Sequence, residues 1–211
     1  MTPPRRALVV IDVQQQYFSG PLEIRFPPHA ESLPRIAAAL DAADRAQVPV
    51  AVLQHTAGEG APVFDPTTPE WRLHPEVEQR VQPGSFSAEK QYGTVFTGTG
   101  LLDWLRERDV DTITLVGYMT NNCVLVSAAE AETHGLSVEV LADATGAIDL
   151  VNEAGSVDAR TVHTTLLALL HSNWAAVADT DQWSQAVASG TALPGSNLVV
   201  SATQGTARVA G

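Results

Sequence analysis

Short apolar runs alternate with stretches of helical periodicity along this chain, and that alternation constrains the fold more than any other feature. Residues 7–13 form an apolar run interrupted by Asp12 and closed by Gln14-Gln15-Gln16, the pattern of a strand covered on both faces. Further strands are expected at 49–53, 85–91, 112–117 and 137–142, with a last one at 175–178. The weakest of them, 85–91, carries Lys90. A first helix is expected from Ser32 as its cap, with Pro34 in the first turn and Ile36, Ala39, Leu40 and Ala43 facing the sheet. Others are expected at about 100–108, from Cys123 to His134 with Gly135 as a left-handed cap, and at roughly 157–170. This order implies an α/β fold, a three-layer α/β/α sandwich with a mainly parallel, doubly wound sheet. Ligands of such sheets bind outside the carboxyl ends of the strands, where Asp12 and the turn before Cys123 fall.

A chain of 211 residues can bury one sizeable core, and no linker divides it, so residues 1–189 read as a single domain. Residues 190–211, rich in Gly, Ser, Thr and Ala, read as a loose tail or, through Leu198-Val199-Val200, as a β-prone stretch that packs on a neighbouring subunit. Excess apolar side chains on the 157–170 helix point the same way, toward a homodimer or homotetramer. The net charge of −12 argues against nucleic acid or an anionic membrane as a partner. The apolar run behind Arg5 and Arg6 is too short for a signal peptide core or a membrane span, so a cytoplasmic location is expected.

The sharpest local text is an apolar strand at 112–117, a polar turn, and then Cys123 opening a helix. Helix-terminal N–H groups favour an anion, so this thiol is expected to ionise more readily than a free cysteine. It is the only cysteine, which excludes a disulfide within the chain and suits a reducing compartment. A lone cysteine is more often a buried packing residue, an Asp ending a strand more often a loop cap, and a Lys usually a solvated surface group. Their joint pattern is what carries weight. A thiolate attacking a carbonyl needs a base, a proton donor for the leaving amine and donors for the oxyanion.

That pattern resembles the isochorismatase-like cysteine hydrolase superfamily, which includes nicotinamidases, N-carbamoylsarcosine amidohydrolase, ureidoacrylate amidohydrolase and streptothricin hydrolase. The resemblance runs from about residue 7 to 183. It rests on Ala7-Leu8-Val9-Val10-Ile11-Asp12-Val13-Gln14 with Phe18, on Glu89-Lys90 with Phe96 and Thr99-Gly100-Leu101, and on Gly117-Tyr118-Met119-Thr120-Asn121-Asn122-Cys123-Val124. It implies a catalytic triad of Asp12, Lys90 and Cys123. It also implies a cis peptide between Tyr118 and Met119 that aims the Met119 N–H, with that of Cys123, at the oxyanion.

Two departures narrow the reading. Metal-binding nicotinamidases carry an aspartate two residues before a histidine after the second strand, whereas this chain reads Gln54-His55-Thr56 with no such carboxylate. No metal and no other cofactor is therefore expected. Isochorismatases lack the cysteine nucleophile, so Cys123 favours amide over vinyl-ether hydrolysis.

Phe18, Trp71, Tyr92, Tyr118 and Asn122 are the candidate substrate-binding residues, because aromatic side chains near strand ends can wall a flat acyl group. His55 and His74 lie near or within the long 55–83 segment, and whether they contact substrate is left open by the sequence; His134, His163 and His171 read as structural. The expected activity is hydrolysis of a carbon–nitrogen bond in a small amide, lactam or carbamoyl compound through a Cys123 thioester. The alternatives are a non-catalytic binding protein of the same fold, marked by an inert thiol, and a redox-sensing cysteine, which the absence of a resolving thiol disfavours.

Overall fold

The computed structural model describes residues 3–209. In chain order its elements are β1 (Arg6–Ile11), α1 (His29–Ala46), β2 (Val50–His55), α2 (Pro75–Glu78), β3 (Phe86–Lys90), α3 (Leu101–Arg106), β4 (Thr112–Tyr118), α4 (Leu125–Ala131), β5 (Ser137–Gly146), β6 (Leu150–Asn152), β7 (Gly155–Val157), α5 (Ala159–Asn173), β8 (Ala176–Ala178), α6 (Thr180–Ser189) and α7 (Leu198–Val209). All six residues of β1 are buried, as a continuous apolar run requires when helices cover both faces. Six strands form one sheet in the order β3-β2-β1-β4-β5-β8, every pairing parallel.

Alternate residues of β1 feed two cores. Ala7, Val9 and Ile11 join Leu101, Leu105, Ala128 and Leu170 on one face, from α3, α4 and α5. Leu8 and Val10 join Ile36, Ala39, Leu40 and Trp183 on the other, from α1 and α6. The expected three-layer sandwich is the observed one. The chain winds outward from β1 through β2 to β3, then returns to β4 on the other side, so the direction of winding reverses between β1 and β4. That reversal leaves a crevice at the carboxyl ends of both strands. Here the two backbones approach closely: at Gly117, with φ +102°, a Cβ would meet the Ile11 carbonyl oxygen at 2.1 Å, so only glycine fits.

Several local expectations differ. The first helix starts at His29 with Pro28 as its cap residue, a turn earlier than expected. Ser32 is therefore no cap; its hydroxyl meets the Tyr118 hydroxyl at 2.8 Å. Pro34 lies inside α1, where burial of Ile36, Ala39, Leu40 and Ala43 outweighs one missing N–H. β5 continues past Asp143 to Gly146, because a register shift after Leu115 lets Thr145 and Gly146 pair with Gly117 and Tyr118. Val157 ends an antiparallel hairpin, β6 with β7, and Asp158 caps α5 by accepting from the Thr161 N–H at 2.9 Å. Residues 198–209 are helical and form no strand; residues 210 and 211 lie outside the described residues. Among the described residues no helix is long and apolar enough to cross a membrane.

Candidate active site

Asp12 is the residue after β1 and turns the chain with φ +52°, a left-handed conformation that Asp tolerates better than most residues. Its N–H donates to the Leu53 carbonyl at 2.9 Å, and its own carbonyl accepts from the Gln14 N–H at 2.8 Å. The turn throws the carboxylate into the crevice, fully buried. Lys90 ends β3, and its carbonyl accepts from the Thr56 N–H at 2.9 Å. Cys123 lies in a π-helical turn, Thr120–Val124, that joins β4 to α4.

The structure brings these three together. Lys90 Nζ stands 2.7 Å from Asp12 Oδ2 and 3.2 Å from Cys123 Sγ. The ammonium also lies 3.1 Å from the Tyr92 carbonyl oxygen and 3.4 Å from His55 Nδ1. An ammonium has three protons, and four neighbours compete for them; the shortest contact is the one to Asp12 Oδ2. Charge and that contact hold Oδ2, whereas Oδ1 has no hydrogen-bond partner among the described residues. A buried carboxylate oxygen without a partner is open to take a proton. Burial raises its pKa above the ordinary carboxylate value against the pull of Lys90.

The expectation of a readily ionised thiol does not survive. Burial first, and the Asp12 charge second, push the Cys123 thiol up to about 12, and Lys90 offsets only part of this. Cys123 is 2% exposed and precedes the first residue of α4, so desolvation outweighs the helix terminus.

The Tyr118–Met119 peptide is cis. The Met119 N–H finds no acceptor among the described residues, whereas its carbonyl accepts from the Asn122 and Val124 N–H groups at 3.1 and 3.2 Å. The turn is further tied by His163. Its Nε2 donates to the Ala142 carbonyl at 3.0 Å, so Nδ1 is left to accept from the Thr120 hydroxyl at 2.9 Å.

The remaining candidates are dispersed. Phe18 packs on Tyr118 (ring centroids 6.0 Å) and on His74 (4.4 Å). Tyr118 is fully buried, with its hydroxyl engaged by Ser32. Trp71 donates its indole N–H to the His55 carbonyl at 2.9 Å, which orients it along the loop. Tyr92 is 59% exposed and meets Lys90 through its backbone, and Asn122 is exposed on the adjoining surface. His74 caps α2, accepting from the Glu76 N–H. An opening of about 300 Å³, lined by Thr56, Lys90 and Tyr92, reaches the cluster at Lys90. Another, of about 550 Å³, is lined by Gln15, Phe18 and Arg72, and neither is lined by Asp12 or Cys123.

Sequence reasoning passed over Tyr17, Phe64 and Thr120. Tyr17 was hidden beside Phe18, Phe64 carries no motif signal, and Thr120 lies within the 117–124 motif but was given no role of its own. The position that would hold a metal in the family's metal-binding members does not fit one. Gln54 donates its amide toward the Trp71 carbonyl at 3.4 Å, and an ammonium faces His55 Nδ1. Among the described residues no three His, Cys, Asp or Glu side chains gather as a metal site.

Known proteins share this arrangement of elements. The isochorismatase domain model matches residues 6–182. The crystal structure of a candidate isochorismatase from Burkholderia xenovorans LB400 superposes with a TM-score of 0.96 and 43% identity, covering 100% of both chains. Streptothricin hydrolase of Streptomyces noursei is 31% identical over 157 residues, 74% of this chain and 60% of that protein. The nicotinamidase/pyrazinamidase of Mycobacterium tuberculosis is 45% identical over 51 residues, 24% of this chain and 27% of that protein.

Proposed function

The chain belongs to the isochorismatase family, and on that premise we propose that it is a hydrolase of small amides, cleaving a carbon–nitrogen bond of an amide, lactam or carbamoyl compound through a Cys123 thioester. The observation that carries this reading is the contact of Lys90 Nζ with both Cys123 Sγ, at 3.2 Å, and Asp12 Oδ2, at 2.7 Å. Similarity to a nicotinamidase and a streptothricin hydrolase supports it.

A thiol that rests protonated must lose its proton as it attacks, and Asp12 has an unoccupied acceptor beside it. As Sγ bonds to the substrate carbonyl carbon, the thiol proton passes to Asp12. The carbonyl electrons then move to oxygen, where the Met119 and Cys123 N–H groups would receive the oxyanion. Collapse breaks the carbon–nitrogen bond, and Asp12 returns its proton to the leaving amine. Water, deprotonated by the same carboxylate, attacks the thioester and releases the acid, and the thiol is restored. Lys90 keeps its charge throughout and holds the carboxylate and the developing thiolate together.

One observation favours the non-catalytic reading: the thiol is nearly sealed and held protonated. Release of ammonia or amine, measured across a panel of small amides, separates the two. Turnover that disappears in Cys123→Ala supports the hydrolase, and a panel with no turnover leaves a binding protein.

A further inference from the structure

Two polar groups beside the triad have no role in the chemistry above. Tyr17 is 2% exposed, yet its hydroxyl has no hydrogen-bond partner among the described residues. It is not one of the sealed polar atoms either, which are the two Asp12 oxygens and Asn121 Oδ1. The hydroxyl therefore keeps a little accessible surface, and burial together with the charge of Asp12 holds its proton on. His55 is the second. Because the Lys90 ammonium can only donate, Nδ1 accepts and the ring proton sits on Nε2, which has no partner among the described residues.

Both rings pack on Phe64, His55 at 4.9 Å and Tyr17 at 5.4 Å between ring centroids. Phe64 is itself held in an uncommon conformation, with φ +55°; its N–H donates to Gln16 Oε1 at 3.2 Å and its carbonyl accepts from the Ala57 N–H at 3.1 Å. A bulky side chain at positive φ persists only where its surroundings determine it. Here it clamps two ring-borne donors against the triad. Lys90, the only lysine of the chain, has all three protons engaged and its charge balanced by Asp12, so the centre has no spare cation for an ionised substrate.

We propose that Tyr17 and His55, held by Phe64, donate hydrogen bonds to an acceptor atom on the acyl side of the substrate, and so select uncharged amides whose acyl group carries an oxygen or nitrogen acceptor. This rests on Cys123 being the nucleophile, and the test separates the two claims. The probes are aldehydes, which add a thiol reversibly to give a thiohemiacetal: acetaldehyde, benzaldehyde and the three pyridinecarboxaldehydes. Protection of Cys123 from iodoacetamide is read by intact mass in the full chain, without any need for turnover. In Tyr17→Phe, the concentration of the best pyridinecarboxaldehyde needed for half protection should rise about tenfold, the loss of one hydrogen bond, while that of benzaldehyde stays within about twofold. His55→Leu should show the same split. Equal shifts for both aldehydes, no shift in either variant, or protection by acetaldehyde but by none of the aromatic aldehydes overturns the donor pair. Protection by no aldehyde, acetaldehyde included, overturns Cys123 as nucleophile and the donor pair with it.

Discussion

Lys90 and Cys123 are the only lysine and the only cysteine in the sequence, and their functional atoms lie 3.2 Å apart. Thiol-directed labelling therefore reports on one residue. Cys123→Ala should lower turnover roughly 10⁶-fold, the scale seen when a nucleophile is deleted. Its circular dichroism and unfolding midpoint should stay close to those of the parent chain, and iodoacetamide should add once, at Cys123. Turnover that persists in Cys123→Ala sinks the thioester mechanism.

The charges around the thiol make opposite predictions for two variants. Asp12 helps to hold the thiol up near 12 and Lys90 pulls it down. Asp12→Asn should therefore move alkylation by iodoacetamide to lower pH, while abolishing turnover for want of a proton acceptor. Lys90→Ala should move alkylation to higher pH. Rate profiles measured from pH 6 to 11 that coincide for all three proteins would contradict this account of the site.

His163 should make the fold acid-sensitive. Burial lowers its pKa to about 4, below the unfolded value of 6.5. Between those values the unfolded state binds the extra proton. The stability it contributes is thus complete above about 6.5 and lost as pH falls toward 4, up to roughly 3 kcal/mol. Urea unfolding at pH 7 and pH 4.5 should show a larger loss for the parent chain than for His163→Gln. Equal losses would place the acid sensitivity elsewhere.

Metal should be dispensable. With no carboxylate two residues before His55 and an ammonium beside that ring, exhaustive chelation should leave turnover unchanged. Recovery of lost activity on adding zinc, iron or manganese would reverse this.

A homodimer or homotetramer is the expected assembly, built on a helical face and not on the paired strand edge that the sequence suggests. Leu198 is 62% and Val199 75% exposed on α7, which packs beside α5 with its partly exposed Leu169. Light scattering at micromolar concentration should return a multiple of 22.4 kDa, and Leu198→Glu with Val199→Glu should reduce it. A monomer mass for the parent chain would refute the assembly.

The alternating pattern determined the architecture by itself, because a buried parallel strand needs apolar side chains on both faces and a crossover helix needs an apolar stripe. Residues 7–13 and 112–117 announce β1 and β4 for that reason, and the crevice between them follows from the connection rules. The convergence of Asp12, Lys90 and Cys123 was legible too, since each ends a strand or follows one. Tertiary structure decided what these residues experience. The thiol's protonation depends on how deeply it is buried and on a carboxylate 111 positions away in sequence, and no local pattern encodes either. Tyr17 and His55 acquire their free protons from the partners they have or lack, and Phe64 brings them together from a loop with no periodicity. Helix α7 was misread because Leu198-Val199-Val200 is β-prone by residue type, whereas the structure offers it no strand to pair with and packs it as a helix against α5.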